Sequence, residues 1–185
     1  DLAFALARVT TDFCKAALGL ARDHGADVII LEGDLAFNIS TLMSPDQYRK
    51  FIKPYHEEIV SFCHEKGMKA VKHSDGTLWP ILDDLVETGF DGIHPFQPQC
   101  MDIREAKDHL KGKAAVVGNI DCSFLLPFGT VEEVEQSVRE TIAAAAPGGG
   151  YIISSSNSIH PGCKPENYIA MVKAARTYGA YPINL

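Results

Sequence analysis

The chain has 185 residues, of which 46% are hydrophobic and 22% charged, and its mean hydropathy is −0.02, the composition of a globular protein rather than a disordered or fibrous one. Seventeen Lys and Arg against 24 Asp and Glu leave a net charge of −7, which argues against a surface built to neutralise nucleic-acid phosphates and favours a small-molecule substrate. No run approaches the roughly 18 apolar residues of a membrane span, and the first residues lack the basic leader of a signal peptide, so a cytoplasmic protein with no membrane partner is expected.

The chain opens inside an apparent helix, from about Ala3 to His24, with Phe4, Leu6, Val9, Phe13, Ala17 and Leu20 at helical spacing. Gly25 reads as its stop, and Asp1 carries no start signal. DVIILEGD follows, an apolar run of the kind a parallel sheet buries on both faces, so a strand is predicted to end near Glu32. Ser44-Pro45-Asp46-Gln47 is a capping box with Pro at the first helical position, and the helical pattern it opens runs to Gly67, kinked or split at Pro54. MKAVKH is a second strand, Leu78 to Glu87 a helix, DGIHP a short strand and Ile103 to Leu110 a helix. AAVVGN is a fourth strand; Thr130 to Glu133 is a second capping box opening an amphipathic helix that ends at Pro147 and three glycines. YIISSS is a fifth strand, and Pro165 to Tyr178 closes the pattern as a helix. This β-α alternation implies a parallel sheet covered by helices, and with no linker or repeat in evidence, residues 1–185 read as a single domain.

The five cysteines, Cys14, Cys63, Cys100, Cys122 and Cys163, are widely spaced and never form C-x-x-C, so reduced thiols acting as small buried hydrophobes are expected. The chemistry lies instead where each strand hands over to its loop. Glu32 and Asp34, His73 and Asp75, His94, Asn119 and Asp121, and Ser154 to Asn157 with His160 all gather there, at the strand ends where parallel β/α folds bind ligands. Each alone reads as readily as a cap or a loop hydrogen bond; together they read as a site. His73 and Asp75 are two apart in an extended segment and share a face, which suits two metal ligands or a base with its orienting carboxylate. The plainer alternative has Asp75 capping the next helix and His73 as a core histidine.

Asp34, the HSDG of 73–76, the GNID of 118–121, the GGGYI of 148–152 and the Pro-Glu-Asn of 165–167 together resemble the uroporphyrinogen decarboxylase superfamily, in family order and over nearly the whole chain. The resemblance implies a (β/α)8 TIM barrel, here the C-terminal partial barrel of about five β/α units, beginning inside a helix of a longer protein. The superfamily contains the uroporphyrinogen decarboxylases of porphyrin biosynthesis and methyltransferases that exchange methyl groups with a cobalamin protein, often with zinc bound. GNIDCSFLLPFGT is similar to the decarboxylase segment Gly-Asn-Leu-Asp-Pro, which carries Asn119 and Asp121 over as rim residues. Asn157, ten places before Asn167, stands where decarboxylases place a histidine and zinc methyltransferases a cysteine. In those methyltransferases the second strand ends in His-x-Cys-Gly, so here His73 keeps a ligand and Asp75 replaces a thiolate, while Cys163, six residues from Asn157, does not fill the missing place.

The leading expectation is therefore a corrinoid-dependent methyltransferase with His73, Asp75 and Asp34 as catalytic residues and His73 and Asp75 as zinc ligands. Glu32, His94, Asn119, Asp121, Asn157 and His160 would bind a small-molecule substrate, with cobalamin or a corrinoid protein as partner. Uroporphyrinogen III decarboxylation, which needs neither metal nor cofactor, is the alternative reaction. A non-catalytic half-barrel that forms a homodimer to cover its sheet edges is a third reading.

Overall fold

A computed structural model of the chain describes residues 2–185; Asp1 and its expected lack of a start signal lie outside the described residues. Five strands follow one another in the sheet in chain order, β1 (Val28–Leu31), β2 (Lys69–His73), β3 (Gly92–His94), β4 (Ala115–Ile120) and β5 (Tyr151–Ser155). They coincide with the five expected strands. Contacts divide the chain into two compact units, Asp1–Ile93 and His94–Leu185.

The first unit begins with α1 (Leu2–Asp23), which ends before Gly25 at φ 93°, a left-handed position that costs glycine little. Its apolar stripe is largely exposed, with Thr11 its buried residue. Ion pairs tie it down instead: Glu58 accepts Arg8 and Lys15 at 2.5 and 2.8 Å, and these cations hold its carboxyl down to about 2. Ser44 caps α2 (Pro45–Phe51) in the expected box, and the chain breaks at Ile52 before α3 (Lys53–Glu65), with Pro54 in its first turn. A proline early in a helix removes an amide that has no intrahelical acceptor, so the break falls before Pro54 rather than as a kink beyond it. The helix α3 turns Ile59, Val60 and Cys63 inward, and β2 is buried from Ala70 to His73. The expected helix from Leu78 divides into a 3-10 turn, Trp79–Ile81, and α4 (Leu82–Glu87).

Strands β1 and β2 are parallel, with Ile29 opposite Ala70 and Leu31 opposite Lys72. Ile29 is buried but Val28 and Ile30 are each 56% exposed, so β1 has one covered face where the apolar run predicted two.

In the second unit Asp102 caps α5 (Ile103–Leu110), and Thr130 and Glu133 cap α7 (Val131–Ala145) reciprocally. A short helix, α6 (Leu125–Phe128), stands where no element was expected, and α8 (Pro165–Tyr178) closes the unit. Val134, Val138 and Ile142 of α7 form a core with Met171 and Ala174 of α8 and with Ile120 of β4. Asn167, 1% exposed, clasps the α6 turn by donating from Nδ2 to the Leu126 and Gly129 carbonyls, each at 3.0 Å. All five cysteines are free. Among the described residues no helix is long and apolar enough to cross a membrane.

Two stability effects follow from these contacts. Burial, helped by the Lys72 ammonium, pushes His56 down to about 3, where it sits 3.3 Å from the Tyr48 hydroxyl and edge-on to Phe90. The unfolded chain protonates this residue near pH 6.5 while the folded chain does not, so stability is lost on acidification below that value. His56→Phe should reduce the loss between pH 7 and pH 5 by up to about 2 kcal/mol, as read by urea denaturation at the two pH values. Asn167→Ala removes one of two donors from each of these carbonyls, which Lys164 also serves through its amide and its ammonium, and should cost about 1 kcal/mol in the same assay.

Candidate functional site

In a parallel pair the strands end together, so the Leu31–Lys72 pairing sets Glu32 beside His73 and delivers both following loops to one edge. His73 Nε2 lies 3.5 Å from Glu32 Oε2, 3.8 Å from Asp34 Oδ1 and 4.0 Å from Asp75 Oδ1. The ligand atoms of Asp34, His73 and Asp75 all lie within 4.8 Å of one another. The imidazole is buried, whereas the Glu32 side chain is 71% exposed and Asp34 half-exposed, so the histidine forms the floor and the carboxylates open toward solvent.

The two loops are laced together. The Asp75 amide donates to Asp34 Oδ1 at 3.0 Å, and the Leu35 amide donates to Ser74 Oγ at 2.9 Å in a buried bond. Thr77 donates its amide to the Phe37 carbonyl at 3.0 Å and its hydroxyl to the Asn38 carbonyl at 2.8 Å. Gly76 is the point of closest approach. It sits at φ 87°, and a Cβ there would lie 2.6 Å from both the nitrogen and the oxygen of Phe37, so the last residue of HSDG is fixed by backbone contact. Asp75 is not a helix cap: Leu78 holds the N-cap position of the 3-10 turn without a side-chain bond.

Lys72, fully buried, lies beneath this cluster. Its ammonium donates to the carbonyls of Gly33 and His73, each at 2.6 Å, and of Leu31 at 3.2 Å. A buried ammonium without such partners costs several kcal/mol, roughly, and charged hydrogen bonds of about 1.5–3 kcal/mol each offset that cost. Burial pushes Lys72 down to about 8, while Asp34 and Glu32 pull it the other way. Reading strand ends alone misses this residue; a lysine inside the apolar run MKAVKH is the signal that marks it.

The remaining expected site residues belong to the second unit, and most of their polar atoms are engaged by backbone. Asn119 Nδ2 donates at 2.7 Å to the carbonyl of Phe96, a buried residue held at φ 53°, where a non-glycine side chain is strained. Gly118 precedes it because a Cβ there would overlap the Pro95 carbonyl. Asp121 Oδ1 accepts the Ser123 and Phe124 amides at 2.7 and 3.4 Å. His160 lies 3.0 Å from the Cys122 carbonyl through Nε2 and accepts the Gly162 amide through Nδ1 at 3.0 Å, partners that fit one neutral tautomer. His94 Nε2 is 3.3 Å from the Ser155 carbonyl, and Asn157 Oδ1 accepts the Ser158 amide at 2.6 Å. Cys163 is buried with its sulfur 3.7 Å from the Cys122 carbonyl.

The first unit thus gathers one imidazole and two or three carboxylates at a strand-end rim, a donor set suited to a divalent cation with nitrogen and oxygen preference. Two kinds of known protein are similar to this chain. The chain is 28% identical to a methylcobamide:CoM methyltransferase, MtaA, of Methanosarcina barkeri over 172 residues, which are 93% of this chain and 48% of that one. It is 27% identical to a uroporphyrinogen decarboxylase of Pseudoalteromonas atlantica, over 89% of this chain and 49% of that one. A solved structure of a methyltransferase from Methanosarcina mazei superposes with a TM-score of 0.74 at 26% identity, covering 94% of this chain and 48% of that chain. The chain spans about half the length of these relatives, and its sheet with alternating helices is a partial α/β barrel. The uroporphyrinogen decarboxylase (URO-D) profile matches residues 1–178, and with HSDG, GNID and the strand-end cluster all falling inside that match, the chain belongs to the uroporphyrinogen decarboxylase family.

Proposed function

We propose that the chain works in metal-dependent methyl transfer between a small substrate and a cobamide. The observation that carries this reading is the convergence of Asp34, His73 and Asp75, whose ligand atoms lie within 4.8 Å of one another. Relatives named as methylcobamide:CoM methyltransferases support it, although uroporphyrinogen decarboxylases match at similar identity.

The residues fit a metal ion chemically: an imidazole and two carboxylates supply one nitrogen and at least two oxygen donors, enough for zinc, with harder ligands than a thiolate site. Asp34, His73 and Asp75 would hold the ion, which supplies Lewis acidity toward an atom of the methyl donor or acceptor. The protein's own groups do the rest. The buried imidazole is held at the floor by the end of β2, so its position is set by the sheet rather than by a mobile loop. Glu32, with its side chain largely in solvent and 3.5 Å from His73, accepts hydrogen bonds from donor groups of an arriving substrate. The bonds from Asp75 to Asp34 and from Leu35 to Ser74 keep the two loops in one arrangement before substrate arrives.

Elemental analysis of the purified protein should find close to one zinc per chain, lost in His73→Ala. Chelation should abolish methyl transfer from methylcobalamin to a thiol, and Asp34→Asn should lower the rate at least tenfold. Metal-free protein that decarboxylates uroporphyrinogen III, or methyl transfer that survives both chelation and His73→Ala, would overturn the proposal.

A further inference from the structure

Lys72 occupies a place where the sheet would ordinarily put an apolar side chain. It pairs in register with Leu31, is fully buried, and follows Ala70 and Val71, which are buried as well. Its ammonium takes up three carbonyls drawn from both strand ends: Leu31 and Gly33 on the segment leading to Asp34, and His73 on the segment leading to Asp75. Leu31 and His73 are the last residues of β1 and β2, and Gly33 lies just past β1. The ammonium carries three N–H donors, one for each of these acceptors.

We propose that Lys72 is a positioning residue for the cluster above it: by joining the Leu31, Gly33 and His73 carbonyls, its ammonium fixes the loop bearing Asp34 against the strand end bearing His73. The cation-binding part of this inference rests on the reading under Proposed function; the positioning part does not.

Charge and position act on cation binding with opposite signs, which makes the role testable. An ammonium close to Asp34 and Glu32 repels an incoming cation, so its removal by itself tightens binding. If Lys72 instead holds the donors in place, its removal weakens binding. In Lys72→Met, calorimetric titration with zinc should show affinity reduced at least tenfold. Hydrogen exchange of the Leu35 and Asp75 amides, measured without metal, should be at least tenfold faster, while amides of the β4–β5 ladder are unchanged. Lys72→Gln, which gives up the charge but keeps an N–H donor, should lie closer to the native protein than Lys72→Met in both measurements, and it replaces that variant if the methionine form does not fold. Zinc affinity that is unchanged or tighter, or native exchange at Leu35 and Asp75, would overturn the proposal. Should the native protein bind no zinc, the metal reading fails, and the exchange result alone decides whether Lys72 positions the loops.

Discussion

The site depends on the parallel pairing of β1 with β2. With Leu31 opposite Lys72, both strands end within a residue of each other, and the chain is delivered twice to the same edge carrying polar side chains. Glu32 and Asp34 arrive from one strand, His73 and Asp75 from the other. A shift of register by one residue would turn His73 to the other face of the sheet and take it off the cluster. The apolar neighbours Ile29 and Ala70, paired across the strands and both buried, oppose such a shift.

Electrostatics then decides how the cluster holds its shape. Carboxylates crowded at a rim repel one another, and two features oppose that repulsion. The Asp75 amide gives Asp34 a hydrogen bond, and the Lys72 ammonium lies close enough to Asp34 and Glu32 for their charges to act on it. Gly76 contributes by absence of a side chain, since only a residue without Cβ lets the HSDG loop lie against the Phe37 backbone. The result is a preformed group of donors whose imidazole is buried and whose carboxylates face water, the arrangement a cation site needs if it is to bind without first ordering loops.

In the second unit similar residue types make bonds to backbone. Asn119, Asp121 and His160 sit at strand ends or in the loops beyond them, yet each is committed to backbone: Asn119 to the carbonyl of strained Phe96, Asp121 to the amides that begin the α6 turn, His160 to Cys122 and Gly162. Buried or half-buried backbone groups must find partners, and short polar side chains near strand ends are the nearest available. Position at a strand end therefore goes with backbone bonds in the second unit and with a cluster of ionisable groups in the first, and only the partners of each side chain distinguish the two.

Much of this was legible in the sequence. The five strands, both capping boxes and the break near Pro54 follow from local chemistry, because periodicity, caps and proline act over a few residues and carry their signal with them. HSDG, GNID and Pro-Glu-Asn pointed to the family, and the strand-end rule picked out Glu32, Asp34, His73 and Asp75 together with His94, Asn119, Asp121, Ser154 to Asn157 and His160. What the sequence could not give depends on neighbours distant in the chain. The apolar stripe of α1 predicts burial, but burial requires a partner surface, and ion pairs to Glu58 fasten the helix while the stripe stays exposed. VIIL reads as a strand covered on both faces, yet half its side chains face solvent. Whether Asp75 caps a helix or joins a cluster, and that Lys72 reaches three carbonyls across two strand ends, were decided by the pairing of β1 with β2, since distance between residues some 40 apart in the chain is set by packing and not by local propensity.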